Sequence, residues 1–518
     1  MFPSPLALPA IILLTLLFII LSTATILRRS KQIKHNHQKQ PPPGPPAWPV
    51  IGNLHLLGKL PHRSLQSLSN KYGSIMSLRL GQVQTVVISS GEAVELLLKK
   101  NDTVFASRPK FEASDIISYG SKGLVFSEYG PYWRNMRKLC TLHLLSVSKV
   151  ESFEGLRREE LGRVVETVER AAAAREVVDV TRVVTDAIES MVYKMVLGAD
   201  KDEECEMKEA IHEGMRLSGA FNLADYVPCL GGLDLQGLKG AIKKTSKAFD
   251  EVLEKIIKEH EDGINSNTQK QKGRQDFVDI MLSLMHHCVD GQNYGIDRTN
   301  IKAILLDMIA GALETSATTI LWALSELLRH PRVMKTLQDE LDTVIGMNKM
   351  VKENDLPKLS YLEMVIKETL RLYPAGAFVP RESTKDVMVD GCGGYYIKKG
   401  TRVLINLWAI GRDPKVWSDD AEMFCPERFK DKDMDFRGLE YCEFIPFGLG
   451  RRGCPGMHLG LITVKIVLAQ LIHSFNWELP WGLSPNELDM SERFGLSLPR
   501  AKNLLAVPTS RILGNKTF

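Results

Sequence analysis

Ten residues constrain this chain more than any others: Phe447-Gly448-Leu449-Gly450-Arg451-Arg452-Gly453-Cys454-Pro455-Gly456. Four glycines and a proline surround one cysteine, and an apolar helical pattern (Leu459, Ile462, Ile466, Leu471) follows. So few side chains imply a backbone pressed against something flat. Proline favours the first helical position, and a helix N-terminus stabilises negative charge. The loop therefore predicts a thiolate beside a planar group, and the partner expected from that chemistry is a haem iron ligated by Cys454.

Of 518 residues, 44% are apolar and 25% charged, ample for a large core. The length alone suggests roughly three domains, but no internal repeat and only one linker, near residue 40, predict a single body. A net charge of +4, without basic runs interleaved with aromatics, argues against nucleic acid. Cys140, Cys205, Cys229, Cys288, Cys392, Cys425, Cys442 and Cys454 lack CxxC or tight spacing, which fits neither a disulfide framework nor a zinc site. A reducing compartment follows.

Residues 6–27 are apolar over about the length that spans a bilayer. Arg28, Arg29, Lys31 and Lys34 come next and keep the following chain cytoplasmic. A cleaved signal peptide is the rival reading, weakened by the length of the run and by basic residues after it. The expected division is an anchor with its basic flank over 1–29, a basic and proline-rich hinge over 30–49, and a catalytic body over 50–518.

Within the body, residues 75–89 alternate around Gly81 as a strand hairpin. Residues 108–128 show no helical period and read as loop. Pro131 opens a helix with Trp133 and Arg137 four apart on one face, placed to aim an indole N–H and a guanidinium at one anion; a surface cation–π pair fits the same spacing. Residues 150–260 are amphipathic helix broken near 222–240, with 221–228 either a membrane-touching lid or plain connection. Residues 258–276 read as exposed loop.

The longest helix is capped by Asp297 or Thr299 and ends at His330-Pro331. Lys302, Asp307 and Glu314 argue against its crossing a membrane. At its middle, Ala310-Gly311-Ala312 lets a flat object approach, Thr315 can bond back to a carbonyl and open the helix locally, and Glu314 can relay protons; a helix-packing patch is the plain alternative. Ser360 and Glu363 form a capping box for a helix carrying Glu368 and Arg371. Such a pair, if buried, needs a further partner, which Arg428 of Pro426-Glu427-Arg428-Phe429 supplies. Residues 376–407 read as short strands and turns, and 494–508 as a closing strand pair.

Together these pieces resemble the cytochrome P450 family of haem-thiolate monooxygenases, over essentially the whole chain. Phe447-x-x-Gly450-x-Arg452-x-Cys454-x-Gly456 resembles its cysteine loop, and Glu368-x-x-Arg371 with Arg428 its buried triad. Thr315 stands at its oxygen-activating threonine, and Trp133-x-x-x-Arg137 resembles its propionate-facing helix. Anchor, hinge and Pro426-Glu427-Arg428-Phe429 are most similar to microsomal plant A-type enzymes. Ala312 departs from the family's usual glycine.

The resemblance implies a mainly α fold with small β-sheets (α+β) and haem b held by Cys454. It places Trp133, Arg137, Arg381 and Arg452 at the propionates and Phe447, Gly456 and Ala312 against the ring. It also implies proton delivery to O2 by Thr315 and Glu314, electrons from NADPH through a membrane-bound reductase, and residence at the endoplasmic reticulum facing the cytosol. Arg134, Lys138 and Arg451 are candidate docking cations, or ordinary solvated charge. By position, Phe111, Ile116, Phe126, Phe221, Leu313, Phe378 and Phe494 wall an apolar pocket suited to a terpenoid, phenolic or alkaloid. Ring closure, coupling, demethylation or an oxygen-independent isomerisation or dehydration are the alternative outcomes. Gly448-x-Gly450-x-x-Gly453 also spells a dinucleotide fingerprint, but a cysteine, two arginines and a proline intervene, and helix occupies the place of the second strand. Nicotinamide binding therefore belongs to another protein.

Overall fold

A computed structural model describes residues 40–198, 201–265, 275–286, 294–347, 349–389, 394–432, 434–438 and 440–511; the expected anchor lies outside them. Pro61 opens α1 (Pro61–Tyr72). The expected hairpin follows as β1 (Ile75–Leu80) antiparallel to β2 (Val83–Ile88). Its turn needs Gly81, which has φ +60° and would bring any Cβ into the Tyr226 carbonyl. A short α2 (Glu112–Ile117) stands in the stretch expected as loop: Phe111 N–H donates to Ser114 Oγ at 3.3 Å, and Ser114 Oγ donates to Phe111 O at 2.9 Å. Six residues are too few for a helical period to declare itself.

Next come α3 (Pro131–Leu139), α4 (Glu154–Ala174), β3 (Val178–Asp179), α5 (Val180–Val196), α6 (Lys201–Gly219), α7 (Leu238–Asn265) and α8 (Phe277–His286). Helix α7 runs on into the start of the 258–276 stretch expected as loop. The long helix α9 (Arg298–Arg329) is capped by Asp297, which accepts from Asn300 N–H at 2.8 Å. Ile301, Ile304, Leu305, Ile309, Ile320 and Leu324 bury it in the core, and Lys302 pairs with Asp250 and Glu254 of α7 at 2.6 and 2.8 Å. Although α9 is apolar enough to cross a membrane by composition, it is a core helix.

Helix α10 (Pro331–Ile345) leads to α11 (Ser360–Leu372). The capping box expected at Ser360 and Glu363 does not form. Glu340 of α10 caps α11 instead, accepting from Tyr361 N–H at 2.7 Å and Leu362 N–H at 3.0 Å, while Glu363 pairs with Lys465 and Lys367. Then follow β4 (Phe378–Glu382), β5 (Val387–Val389), β6 (Tyr395–Ile397), β7 (Arg402–Asn406), α12 (Met457–Ser474), β8 (Phe475–Glu478) and β9 (Leu505–Ser510). One sheet has the order β1-β2-β7-β4 with β2 and β7 parallel; the others are β3-β9-β8 and β5-β6. The closing pair is β9 on β8 rather than a pair within 494–508, where the chain turns back through a Glu492–Arg500 bridge. The architecture is mainly α with small sheets, as expected.

Candidate functional site

A cavity of about 350 Å³ lies between α9, α3 and the cysteine loop. In that loop Gly448 and Gly450 sit at φ +73° and +66°, and a Cβ on Gly450 would overlap Asp102. Cys454 N–H donates to Phe447 O at 2.8 Å, closing the loop into a hook. Helix α12 begins at Met457 rather than Pro455, because Pro455 and Gly456 form a turn ahead of it. The Cys454 thiol opens onto the cavity with protein close around it. Burial pushes the thiol up, and the Gly456 N–H and Arg137 charge only partly offset this. A coordinated metal ion would reverse that balance, since it deprotonates a thiol outright.

Four guanidinium groups converge here. Arg108, Arg137 and Arg452 line the cavity, and their charges act on Arg381 beside it. Arg452 donates to Ala106 O at 2.6 Å and Leu124 O at 3.2 Å and lies 4.2 Å over the Trp133 ring. Arg381 donates to Leu449 O at 3.1 Å, while its Nε and Nη1 are buried without partners. Burial, then neighbouring arginines, pushes Arg452 down to about 9 and holds Arg381 well below the usual guanidinium value; burial pushes Arg108 down to about 10. Guanidinium keeps its proton in proteins, so the cluster is positive charge with unmet donors, suited to an anion of more than one charge.

Two details differ from expectation. Trp133 does not aim its N–H at an anion, because Nε1 donates to Leu124 O at 3.0 Å; it offers its ring to Arg452. Arg108 joins the cluster without having been anticipated, since nothing in Arg108-Pro109 marks burial.

From α9, Gly311, Ala312 and Thr315 face the cavity, and a Cβ on Gly311 would meet open space. Thr315 Oγ1 donates to Gly311 O at 2.7 Å, as expected, yet α9 stays α-helical across it. The Thr315 hydroxyl bonds Gly311 O rather than the Glu314 carboxylate, which accepts from Ser497.

Away from the cavity, Arg371 grips Glu368 with Nε and Nη2 at 2.6 and 2.7 Å. It also donates to Gly411 O and Ala421 O, each at 2.6 Å. Cys425 N–H and Arg428 Nε reach Glu368 at 2.8 and 3.4 Å. The expected triad is assembled, with Glu368 and Arg371 buried and Arg428 at its edge.

The family model described as Cytochrome P450 matches residues 42–507. The chain belongs to the cytochrome P450 family. It is 50% identical to Cytochrome P450 CYP736A12 of Panax ginseng, over 96% of this chain and 99% of that one. It is 40% identical to flavonoid 3'-monooxygenase of Arabidopsis thaliana, over 98% and 97%. A solved zebra fish cytochrome P450 with progesterone superposes with a TM-score of 0.70 at 25% identity, covering 87% of this chain and 99% of its own. This cytochrome P450 is therefore an oxidoreductase, a monooxygenase, and the family implies haem iron. The residues present fit haem: a thiol facing the cavity, a helix face pared to Gly311 and Ala312, and unmet arginine donors for two carboxylates.

Among the side chains expected to wall the pocket of this cytochrome P450, Phe378 lines the cavity. Phe126 lines a neighbouring cavity of about 60 Å³, and Phe494 packs on Phe378 at 5.9 Å. Leu313 is buried in the core. Phe111 lies under Arg402 at 4.5 Å, Phe221 stacks on Tyr226 at 5.1 Å, and Ile116 packs at the core edge. Phe494 and these last four line neither cavity; their segments are near, but their side chains face other partners. Val125, Met308, Ala375, Val379 and Leu407 supply apolar wall instead.

Asp307 also lines the cavity and holds the loop above it, accepting from Leu124 and from Val125 N–H at 2.9 Å for the latter. Burial pushes its carboxyl up to about 6 despite those bonds. Because the folded value lies above the unfolded one, its contribution to stability is full below pH ~4 and is lost as pH rises to ~6. That loss is about 3 kcal/mol. Asp307→Asn, neutral throughout, is expected to remove this slope, read as the pH 4 to pH 7 change in urea midpoint relative to the parent chain.

Proposed function

We propose that this monooxygenase hydroxylates a hydrophobic plant specialised metabolite (terpenoid, phenolic or alkaloid), with O2 and with electrons passed from NADPH by a membrane-bound reductase. One observation carries the reading: a single cavity receives the Cys454 thiol, the Thr315 face of α9 and apolar walls including Phe378 and Val379. In this reading Cys454 would hold the haem iron through its sulfur. Arg137, Arg381, Arg452 and Arg108 hold the propionates, with the Trp133 ring backing Arg452. Phe447, Gly456 and Ala312, which line the same cavity, would pack against the ring. Haem bound there supplies O2 activation and C–H oxidation, tuned by the thiolate.

Thr315 holds a proton on Oγ1, parked on Gly311 O at 2.7 Å, and turns it into the cavity when O2 is reduced. Glu314, on release of its bond from Ser497, would replace that proton. The apolar walls exclude water. Thr315→Ala is expected to leave haem content unchanged, cut product by about tenfold or more and raise peroxide release correspondingly. Unchanged coupling between NADPH and product would remove Thr315 from this role.

The division into an anchor over 1–29, a hinge over 30–49 and a catalytic body over 50–518 belongs to the same reading, as does residence at the endoplasmic reticulum membrane facing the cytosol. Exposed apolar side chains support it. Trp48 and Ile51 lie on one segment, and Phe221, Leu233 and Leu235 on another. The β1–β2 turn joins the two, with Gly81 N–H on Ile51 O at 3.0 Å and Gln82 N–H on Tyr226 O at 2.8 Å. Arg134 and Lys138, exposed on α3, and Arg451, which pairs with Asp102 at 3.2 Å, are the docking cations of this reading.

The test is turnover of a plant metabolite extract by the full chain with its reductase, read by mass spectrometry. Products heavier by one oxygen atom, dependent on NADPH and reductase, are expected. Turnover without either would establish an isomerase or dehydratase instead.

A further inference from the structure

Phe494, on the turned-back segment between Asp489 and Arg500, backs the cavity-lining Phe378 with ring centroids 5.9 Å apart, and a buried carboxylate two residues away fastens that segment. The Glu492 side chain is only 2% exposed. Its Oε1 accepts from His62 Nε2 at 3.1 Å and from Arg63 Nε, and its Oε2 accepts from Arg63 Nη2 at 2.8 Å. His62 and Arg63 begin α1, on the far side of the wall. The His62 ring stacks on Phe494 at 5.9 Å and 20° and meets Phe378 edge-on at 6.5 Å. Behind it, Trp408 lies 4.8 Å from His62, with the Arg63 guanidinium also 4.8 Å from the Trp408 ring. Asn406 Nδ2 donates to His62 O at 2.9 Å, fixing the start of α1 to the end of β7.

The other limb of the segment is held on α9, and the two limbs are joined by Arg493 N–H on Pro499 O at 2.9 Å and Ala501 N–H on Ser491 O at 2.8 Å. Leu498 O accepts from Trp322 Nε1 at 2.9 Å, and Arg500 Nη1 donates to Ser325 Oγ at 2.8 Å, both on α9. Glu492 adds a side-chain fastening of the first limb to α1, and Phe494 lies between that attachment and the one on α9. A buried carboxylate is a costly fastening that apolar contact could replace. What a bidentate guanidinium fork adds is fixed geometry. Burial would raise Glu492, but bonds from His62 and Arg63 and the Arg63 charge bring it down to about 2, so the fastening is constant across the neutral range.

We propose that Glu492 is a positioning residue for substrate: through His62 and Arg63 it fixes the Phe494–Phe378 pair, and so sets how bulky apolar ligands seat in the cavity. This rests on the cavity being the substrate chamber. Small ligands that stop short of the wall do not sense Glu492.

The experiment titrates the haem-loaded full chain with two azoles, 4-phenylimidazole and the bulkier clotrimazole, by the Soret shift. Binding of both to the parent chain checks the chamber reading separately; no shift with either would overturn that reading. Glu492→Gln and Glu492→Ala are expected to change clotrimazole affinity about fivefold and 4-phenylimidazole less than about twofold. In a Phe494→Ala background the same substitutions should do nothing further, the signature of coupled side chains. Unchanged clotrimazole affinity, equal changes for both azoles, or additivity with Phe494→Ala would overturn the proposal. If Glu492→Ala takes up no haem, Glu492→Gln decides by the same criteria.

Discussion

Glu368→Ala is expected to yield a chain that neither folds stably nor retains haem. The Glu368 and Arg371 side chains are both fully enclosed. Removing the carboxylate leaves Arg371 charged in the core and strips Cys425 N–H and Arg428 of an acceptor. Breaking a buried pair from one side costs about 3–5 kcal/mol, against a total stability on the order of 5–15 kcal/mol. Arg371 also holds the Gly411, Ala421 and Met423 carbonyls, so the damage spreads into the approach to the cysteine loop. Glu368→Gln keeps the shape without the charge and should fall between. Soluble yield, far-ultraviolet circular dichroism and haem content measure the effect; a normally folded, haem-replete Glu368→Ala chain would overturn the assignment of the brace.

That brace was legible in the sequence because two members share a helix face and the third stands in a proline-led motif. Local causes generally declare themselves: Pro131 starts a helix, Asp297 caps one, and Gly81 turns a hairpin. The features that stayed hidden have causes elsewhere in the chain. Glu340 caps α11 across a helix boundary, and Ser497, 183 residues away, rather than Thr315, bonds Glu314. Leu124 takes the Trp133 N–H in the same way. None of these partner choices leaves a periodicity. Arg108 illustrates the point most sharply: its place in the cationic cluster depends on burial that a loop sequence does not display. The pocket walls show the complementary failure. Position along the chain indicates which segments come near the cavity, but a one-residue change of face sends Leu313 into the core while Ala312 lines the cavity.

The largest chemical effect is expected at Cys454. The ferrous carbonyl form of the parent chain should show the strongly red-shifted Soret band of thiolate ligation, and Cys454→Ala or Cys454→Ser should lose it. Other cysteines make the necessary controls. Cys140 is fully buried among apolar side chains, and Cys442 is buried in a separate cluster. Neither lines the cavity, so their replacement by alanine should leave the band in place. Serine is the more searching change at 454, because it keeps the size and the backbone hook to Phe447 while removing the soft, readily ionised sulfur. A residue that merely orients a metal ligand typically costs ~10–100-fold on removal; loss of the ligand itself should exceed that, leaving monooxygenase turnover near background. Haem content separates the causes: a variant that keeps haem but shows an unshifted band has lost the thiolate alone. A red-shifted band persisting in Cys454→Ser, or an unshifted band in the folded parent chain, would overturn the assignment of Cys454 as ligand.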